Sequence, residues 1–429
     1  MSTLSPENQT GPLRTAIVAV QLPDTDDEAF AASVAELKRL GHTLGVAVVA
    51  TVTQRRPSLH AATVLGSGKV AELVALAGES AAAPIEAVLV DHDITPSQAR
   101  NLEKATGVEV LDRTAVILEI FRRHARSRAA KAQVEIVRLQ YLVPRLREQG
   151  RAKGADRQRG GIGGKGAGES SLELDRRKIR DRIAELTRDL VALENEQRTQ
   201  RARRRDTSRV ALVGYTNAGK STLMRALTGS EVYVADKLFA TLDTTVRPLV
   251  PEARPRVLVS DTVGFIDKLP HGLVTSFKST LDEALEAGLL VQVVDASAPT
   301  FERHLAVTTE VHAEIGAGNV PRLLVFNKID ACGDAEAEAR ATSALLARWP
   351  DAVVMSARRP ADVARLREHF LAFFNRDLVE GEVRVPYDRQ QMRGEIFAGC
   401  EVLDERYDDD GVIFRVRAHP ALLERLQAA

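Results

Sequence analysis

A segment that could hold the phosphates of a nucleotide lies near the middle of the chain. GYTNAGKST follows the apolar run RVALV and fits the pattern G-x-x-x-x-G-K-[ST]. Its glycines let backbone N–H groups converge on phosphate oxygens, Lys220 would reach the β- and γ-phosphates, and Ser221 would bind Mg²⁺. We expect the whole segment to contact the nucleotide: Gly214, Tyr215, Thr216, Asn217, Ala218, Gly219, Lys220, Ser221 and Thr222.

Two further motifs indicate which base is bound. NKID closes the apolar run PRLLVF, and Asp330 can accept hydrogen bonds from N1–H and the exocyclic amine of guanine. Adenine offers neither donor there, which would leave a desolvated carboxylate unpaired at a cost of about 1–3 kcal/mol. Asn327 would hold the other edge of the purine and the neighbouring loops, and Lys328 would lie along the ring. Ser356 and Ala357 follow the run AVVM, where a backbone N–H could meet guanine O6, so the motifs together predict GTP and GDP as ligands.

The segments DTVGF and FATLDTTVR are expected to respond to the γ-phosphate. Asp261 would hold Mg²⁺ through water and the Gly264 N–H would bond the γ-phosphate, so this loop should order with GTP and relax after hydrolysis. Thr241 is the predicted Mg²⁺-binding hydroxyl of the other segment, with Thr245 as the alternative, and Phe239 is expected beside the nucleotide. The predicted catalytic residues are Lys220, Thr241 and Gly264, and the predicted metal ligands are Ser221, Thr241 and Asp261.

The residue after the DxxG pattern predicts slow intrinsic turnover. Many small GTPases place a Gln there to orient the attacking water, whereas Phe265 has no group that could do so. A partner or an ion would then have to complete the site. Asn217 is typical of GTPases that use K⁺ as a charge-stabilising element, so K⁺ is a candidate cofactor; the alternative is that Asn217 only tolerates a left-handed turn.

The elements that must position these motifs form a doubly wound α/β domain at 207–378. Its strands are predicted at RVALVGY, RVLVSD, LLVQVVDAS, VPRLLVFNK and DAVVMSA. Upstream, apolar β-branched runs alternate with helix-period segments at 13–112, which predicts a small parallel-sheet α/β subdomain. Downstream, 379–429 predicts a small α+β module with a hairpin turning at Asp410 and Gly411.

Between the two predicted sheets, 113–206 shows helical periodicity throughout. Apolar residues recur every seven residues from Leu172 to Leu193, as in a helix that packs against one partner. The stretch 145–170 is rich in Gly and basic residues, which predicts a long antiparallel helical hairpin with a flexible tip. Its cations are expected to be drawn to phosphate-rich surfaces, the alternative being a solvated linker: Arg145, Arg147, Arg151, Lys153, Arg157, Arg159 and Lys165.

The bulk composition narrows the class of protein. The chain has 429 residues, 44% of them hydrophobic and 28% charged, with equal numbers of basic and acidic residues. Cys332 and Cys400 are far apart, which predicts neither a disulfide framework nor a structural metal. No apolar run approaches the ~20 residues of a membrane helix, and the first residues lack the apolar core of a signal peptide, so a cytoplasmic protein is expected.

The motifs in this order resemble the HflX family of ribosome-associated GTPases, in the Obg-like branch. The resemblance covers 13–377 and is dense at 140–330, in PRLREQGRAKGADRQRGGIGGKGAGESS, GYTNAGKSTL, LFATLD, DTVGFI, LVTSFKSTLDEAL, VVDAS and NKID. It implies binding to the large ribosomal subunit, with the hairpin loop near the peptidyl transferase centre and its basic residues on ribosomal RNA. It also implies GTP-linked splitting or rescue of stalled ribosomes, and we expect a monomer off the ribosome.

Two departures and two alternatives accompany this resemblance. Thr244 stands where the family pattern has Pro after LD, which loosens the loop that carries Thr241. LGSGKVAEL suggests the ATP use credited to some members, but Thr63 and Val70 break the phosphate-loop pattern, so 66–69 is expected to be a turn and a helix start. The alternative functions are a ribosome-assembly GTPase that acts on precursor subunits, and a coiled-coil GTP switch that binds protein partners without RNA contact.

Overall fold

The computed structural model describes residues 12–78, 83–157, 171–202, 208–229, 238–239, 242, 244–270, 272–273 and 285–428. The chain divides into two compact units. The first comprises Met1–Leu193, Lys237–Phe239 and Leu269–Phe277, and the second comprises Glu194–Asp236, Ala240–Lys268 and Lys278–Ala429. The domain boundaries expected at 112, 206 and 378 stay predictions.

A four-stranded parallel sheet forms the centre of the first unit, in the order β2-β1-β3-β4. Its strands are β1 (Arg14–Gln21), β2 (Ala47–Arg55), β3 (Ala87–Val90) and β4 (Glu109–Asp112). Helices follow the first three strands: α1 (Asp27–Leu44), α2 (Ser67–Ala77) and α3 (Pro96–Thr106). The alternation of apolar runs and helical segments in the sequence therefore gives the predicted parallel sheet, whose strands β1 and β3 are buried along nearly their whole length.

The glycine-rich segment of the first unit is a turn that leads into a helix. Gly66 is the N-cap of α2 in an extended conformation, and its N–H donates to Gln54 Oε1 at 2.9 Å. Lys69 lies in the first turn of that helix, where its Nζ pairs with Glu72. The structure thus gives 66–69 the local role expected from its broken phosphate-loop pattern.

A buried arginine joins the sheet of the first unit to its helices. Arg113 begins α4 (Arg113–His124) and is 1% exposed. Its guanidinium bonds Asp91 Oδ1 at 2.8 Å and also contacts Glu36 of α1. Asp91 accepts a further hydrogen bond from Ser33 at 2.6 Å. Each charge in this cluster has an ionic partner, as burial requires, so we interpret the cluster as structural.

Two long helices of the hairpin pack along one apolar seam. They are α5 (Arg128–Arg157) and α6 (Ser171–Ala202). The seam brings residues one helical turn apart on each helix into one cluster: Ala132, Ile136 and Leu139 with Ile179, Ile183, Leu186 and Leu190. The heptad pattern therefore has its partner within the chain. Helix α5 continues to Arg157, whereas the sequence predicts a flexible tip from 145.

The second unit is built on a six-stranded sheet in the order β10-β9-β8-β5-β7-β6. The strands are β5 (Ser208–Gly214), β6 (Thr245–Pro248), β7 (Val257–Asp261), β8 (Leu289–Asp295), β9 (Arg322–Asn327) and β10 (Val353–Val354). Its helices include α7 (Lys220–Thr228), α8 (Phe301–Glu314), α9 (Ala335–Arg348) and α10 (Pro360–Asn375). All neighbouring strands are parallel except β6, an antiparallel edge strand that the sequence reasoning missed.

A three-stranded antiparallel sheet ends the chain, in the order β11-β13-β12. Its strands are β11 (Val379–Pro386), β12 (Glu401–Tyr407) and β13 (Gly411–Ala418), and α11 (Gln390–Gly399) and α12 (Pro420–Ala428) contribute to its apolar core. Ion pairs cross the strands on the exposed face, where Arg417 bonds Glu380 at 2.9 Å and Glu401 at 3.2 Å. This is the predicted α+β module, with Asp408 accepting N–H bonds from Asp410 and Gly411 in its hairpin turn.

Within the described part of the chain, no helix is both long and apolar enough to span a membrane. The same residues include no group of three or more His, Cys, Asp and Glu side chains that could hold a metal ion. Cys332 is partly exposed and Cys400 is buried, and both are free thiols. Burial raises the pKa of Cys400 to about 11, so this thiol stays protonated.

Candidate nucleotide site

The phosphate loop connects the end of β5 to the start of α7. Two of its positions can be occupied only by glycine. Gly214 has φ +147, and a Cβ there would lie 2.2 Å from the Val293 carbonyl oxygen of β8. Gly219 has φ +95, and a Cβ there would lie 2.3 Å from Asn327 Nδ2. Asn217 adopts the left-handed region between them, with φ 60. The loop is therefore tightly packed against the sheet on both sides.

Lys220 lies inside this loop. It is 6% exposed, and its Nζ donates to the carbonyl oxygens of Gly214 at 3.0 Å and Tyr215 at 2.9 Å. Burial lowers the pKa of Lys220 to about 8; the charge of Asp261 acts in the opposite direction and that of Lys328 in the same one. Among the described residues, its hydrogen-bond acceptors are these two carbonyl oxygens, and a buried cation bonded in this way is well suited to pair with a phosphate.

The side chains of Ser221 and Asp261 meet at the end of β7. Ser221 Oγ donates to Asp261 Oδ2 at 2.8 Å, and Asp261 is fully buried. A hydroxyl and a carboxylate oxygen are ligands that Mg²⁺ prefers, so the two residues fit the metal role expected of them. The structure brings these predicted ligands together, in the first turn of α7 and at the carboxyl end of a parallel strand.

The DTVGF loop lies directly against the phosphate loop. The Phe265 N–H donates to the Gly214 carbonyl oxygen at 3.1 Å, and the Thr216 N–H donates to the Phe265 carbonyl oxygen at 2.6 Å. Gly264 sits so close that a Cβ would lie 2.8 Å from Thr216 Cα and 3.0 Å from Lys220 Nζ. The backbone of Gly264 is thus at the predicted place, beside the lysine that would bind phosphate.

Asn327 and Lys328 join the end of β9 to the phosphate loop. Asn327 is 1% exposed, and its Nδ2 donates to the Ala218 carbonyl oxygen at 2.9 Å. Lys328 Nζ donates to the Asn217 carbonyl oxygen at 2.7 Å and to Asp295 Oδ2 at 2.8 Å. The first two residues of the NKID motif therefore fix the phosphate loop.

Asp330 is the predicted guanine-reading carboxylate, and it remains partly exposed at 23%. The nearest guanidinium is that of Arg358 at 3.9 Å, a long ion pair from an 83% exposed side chain. The carboxylate is therefore accessible to a ligand edge, as its proposed role requires.

The backbone donors of Ser356 and Ala357 lie close to other site residues. The Ala357 N–H donates to Asn327 Oδ1 at 2.9 Å, and the Ser356 N–H donates to Asp362 Oδ2 at 2.9 Å. Both backbone donors thus have partners within the protein, and their contact with guanine O6 stays a prediction. The two ends of the Asn327 amide tie the loop at Ala357 to the phosphate loop.

Asp295 is a site residue that the sequence reasoning did not assign. It ends β8, bonds Lys328, and accepts from Ser297 Oγ at 2.6 Å. Its signal was present in the motif VVDAS, a carboxylate at the end of a buried strand, the same signal that identified Asp261.

The residues predicted for the other γ-phosphate segment are placed differently. Phe239 belongs to the first unit, where it is 2% exposed and packs edge-on against Phe121 with ring centroids 4.5 Å apart. Its ring is therefore a core side chain of that unit, and its place beside the nucleotide stays a prediction. Thr241 lies outside the described residues. The alternative, Thr245, begins β6 in register with Asp261 of β7.

Among the predicted RNA-contacting cations, Arg145 has a structural role. Its guanidinium pairs with Asp112 Oδ2 at 2.7 Å and stacks on Tyr141, 3.6 Å from the ring centroid. Burial raises the pKa of Asp112, and the charge of Arg145 opposes that rise. Arg145 is thus already engaged by a buried carboxylate, and its contact with RNA stays a prediction.

The other basic residues fall into two sets. Those in the backbone of helix α5, rather than in a loop, are Arg147, Arg151, Lys153 and Arg157. Arg159 and Lys165 lie outside the described residues. Their RNA contacts stay predictions.

Three family models match successive parts of the chain. Residues 31–122 match the family described as GTP-binding GTPase N-terminal, and residues 124–204 match the GTP-binding GTPase Middle Region. Residues 209–328 match the family described as 50S ribosome-binding GTPase. The last match includes the phosphate loop, DTVGF and the start of NKID.

Curated relatives align over nearly the whole chain. GTPase HflX of Gluconacetobacter diazotrophicus is 53% identical over 96% of this chain and 96% of its own length. GTPase HflX of Escherichia coli (strain K12) is 37% identical over 88% of this chain and 87% of its own.

Among solved structures, that of SsGBP in complex with GDP covers 84% of this chain and 98% of its own, at 23% identity and a TM-score of 0.48. A GTP-binding protein from the archaeon Sulfolobus solfataricus in complex with GDP covers 84% and 99%, at 22% identity and a TM-score of 0.45.

Proposed function

The chain belongs to the HflX family of GTPases, and from this premise we propose that its GTP-bound form binds the large ribosomal subunit and couples hydrolysis to the splitting or rescue of stalled ribosomes. The observation that carries the GTPase part of the proposal is Asn327, whose amide ties the loop at Ala357 to the phosphate loop at Ala218. A guanine base and the phosphates would then be bound in one connected site. The match of 209–328 to a 50S ribosome-binding family supports the partner.

Each residue of the site has a role that follows from its position. Lys220 would exchange its carbonyl acceptors for phosphate oxygens, and Asp330 would accept the two N–H donors of guanine. Ser221 and Asp261 would hold Mg²⁺, which neutralises charge on the phosphates when bound. The Gly264 N–H would bond the γ-phosphate from beside Lys220. Phe265 has no hydrogen-bonding group for the attacking water, so efficient hydrolysis requires a contribution from outside the chain.

Potassium is the proposed ionic contribution. Asn217 holds the left-handed turn of the phosphate loop, and its carbonyl oxygen is fixed by Lys328 Nζ at 2.7 Å. An Asn at this position of the phosphate loop is typical of GTPases that use this cation. The test is GTP turnover by the isolated protein in matched Na⁺ and K⁺ buffers, with faster turnover in K⁺ expected and equal rates contradicting the role.

The basic residues of the hairpin beyond Arg145 are the proposed contacts to ribosomal RNA. Cations that neutralise phosphates make binding weaken steeply with salt. The rival reading, a coiled coil that captures another protein, is disfavoured because the apolar seam of α6 is already packed on Ala132, Ile136 and Leu139. We expect a monomer off the ribosome, acting in the cytoplasm, where ribosomes are.

The deciding experiment measures GTP turnover and sedimentation with purified large subunits. Turnover should rise when subunits are added, and the protein should co-sediment in the presence of a non-hydrolysable GTP analogue. Lys220→Ala should lose nucleotide binding and co-sedimentation together, whereas neutralising Arg147, Arg151, Lys153 and Arg157 should weaken co-sedimentation and leave GTP affinity intact. Unchanged turnover together with absent co-sedimentation would refute the ribosomal role.

The same assay separates the assembly alternative. Mature subunits and precursor particles are compared side by side, with dissociation of intact ribosomes as a third readout. Preference for precursors without dissociation of ribosomes would favour a ribosome-assembly GTPase. Preference for mature subunits with dissociation would favour splitting or rescue.

A further inference from the structure

Phe265, which follows DxxG, packs on a histidine of helix α8. The rings of Phe265 and His312 meet edge-on, with centroids 5.7 Å apart and planes inclined by 80°. Both are buried, at 2% and 4% exposure. The residue that occupies the place of a water-orienting glutamine is therefore buried, with an imidazole packed against its ring.

His312 is a polar side chain with its hydrogen bonding unmet. Neither Nδ1 nor Nε2 has a hydrogen-bond partner among the described residues. Burial is the main cause that lowers the pKa of His312 to about 4, and the charge of Arg322 adds to it, so the ring is neutral. A neutral imidazole still carries one donor and one acceptor, and leaving both without partners in the interior is unfavourable. In a native structure such a group calls for an explanation.

Other contacts hold the loop in the same place. The Asp267 N–H donates to Tyr215 Oη at 2.7 Å, and Asp267 also pairs with Arg303 of α8 at 2.6 Å. Tyr215 stacks on His304 of the same helix, with centroids 3.8 Å apart. Helix α8 therefore contacts this segment directly at two points: Arg303 pairs with Asp267, whereas His312 packs on Phe265 with its own hydrogen bonds unmet. Its third contact, from His304, reaches the segment through Tyr215 of the phosphate loop.

We propose that His312 is a positioning residue of the GTPase cycle, whose unmet hydrogen bonds destabilise the observed position of Phe265 and so help the DTVGF loop to rearrange around the γ-phosphate when GTP binds. Movement of Phe265 would uncover the imidazole and let its nitrogens bond water. The satisfied contacts of Asp267 and Tyr215 oppose that movement, so the loop is poised between two positions. This inference rests on the proposed role of DTVGF as the sensor of the γ-phosphate.

The test compares affinities for GDP and for a non-hydrolysable GTP analogue in isolated full-length protein. His312→Leu removes the unmet nitrogens and retains an apolar wall, so it should lower the affinity for the GTP analogue relative to GDP by about tenfold. His312→Gln retains unmet polar groups and should stay near the wild-type ratio. A merely packing role predicts the opposite order, with the glutamine variant more disturbed. His312→Met is the second apolar variant should the leucine variant fail to fold.

Thr308→Val is the matched control. Thr308 lies on the same helix, is 1% exposed, and bonds only within the helix, to the His304 carbonyl oxygen at 2.8 Å among the contacts described. Its replacement should change the ratio by less than about twofold. An unchanged ratio in both apolar His312 variants, or an equal shift in Thr308→Val, would overturn the inference.

Hydrogen exchange of residues 261–268 with each nucleotide bound separates the role of His312 from the role of DTVGF as the sensor of the γ-phosphate. If exchange in the wild type differs between GDP and the GTP analogue but the His312 variants keep the wild-type affinity ratio, only the role of His312 fails. If the wild type shows neither an exchange difference nor an affinity difference, DTVGF is no γ-phosphate sensor and both fail. Ribosomes are absent from the assay, so its outcome is independent of the ribosomal role.

Discussion

Replacing Gly219 by alanine should uncouple the loop at Ser356 and Ala357 from the phosphate loop. An L-residue at φ +95 costs about 1–2 kcal/mol relative to glycine. The new Cβ would lie 2.3 Å from Asn327 Nδ2, so the amide must move and lose its bonds to Ala218 and Ala357. At about 1 kcal/mol for each bond, the free energy of unfolding of the second unit should fall by about 3–4 kcal/mol.

The single tryptophan gives a local probe of that unfolding. Trp349 packs against Phe326, the neighbour of Asn327 in sequence, with ring centroids 5.0 Å apart. Urea titration followed by its fluorescence should show a lower midpoint for Gly219→Ala. Gly394→Ala is the matched control, because a Cβ there meets no atom within 4 Å. In the interior of α11 this second exchange should stabilise by up to about 1 kcal/mol.

The refuting result is a Gly219→Ala variant that unfolds at the wild-type urea midpoint and binds GDP with wild-type affinity. That result would mean that the loop accommodates a side chain without moving Asn327. A loss of GDP affinity at an unchanged midpoint would place the cost in the bound state and contradict the stability estimate alone.

Three other predictions concern single side chains. GDP affinity should fall by close to tenfold per pH unit above about pH 8. Burial lowers the pKa of Lys220 in the free protein to about 8, and Lys220 must be protonated to pair with phosphate, so rising pH removes the cation that binding needs. The Lys220→Arg variant stays protonated, so fluorescence titration should show no such fall if its binding survives. Asp330→Asn should weaken GDP binding by about a hundredfold, or about 2.7 kcal/mol. It should improve binding of xanthosine diphosphate, because the C2 carbonyl of xanthine accepts a hydrogen bond from an amide. An unchanged preference in a competition titration would contradict the guanine assignment. Arg145→Ala should destabilise the first unit by about 3 kcal/mol or more, because Asp112 is left buried without its ion pair. Hydrogen exchange in β4 and α4 should therefore become faster, and unchanged exchange would contradict the structural role.

The sequence was sufficient wherever a motif and its element obey one local rule. The phosphate loop lies between a buried strand and a helix, and Asp261 and NKID lie at the carboxyl ends of parallel strands, as the fold requires. The alternation of apolar runs with helical segments likewise predicted the parallel order of the first sheet. These features depend on neighbours in sequence, so a pattern can reveal them.

What the sequence could not reveal depends on partners distant along the chain. Arg145 looks like one more cation of a basic run, yet Asp112, its partner, lies in β4. Phe239 sits in a motif of the second unit but packs in the first. Strand β6 has four residues and ends in Pro248, so its pattern is too short to predict a strand. For Arg145 and Phe239 a tertiary contact outweighs the local signal, and for β6 the local signal is too short.

The exposed face of the C-terminal sheet bears on any experiment at varied salt. Arg417 lies between Glu380 and Glu401, and Arg415 reaches Glu380 at 3.4 Å, so these guanidinium groups are supplied with carboxylates by the neighbouring strands. Because its positive charges are paired with carboxylates, such a face binds few mobile counterions and has little net positive charge with which to attract a polyanion. The slope of ribosome affinity against salt should therefore be nearly the same after this face is neutralised.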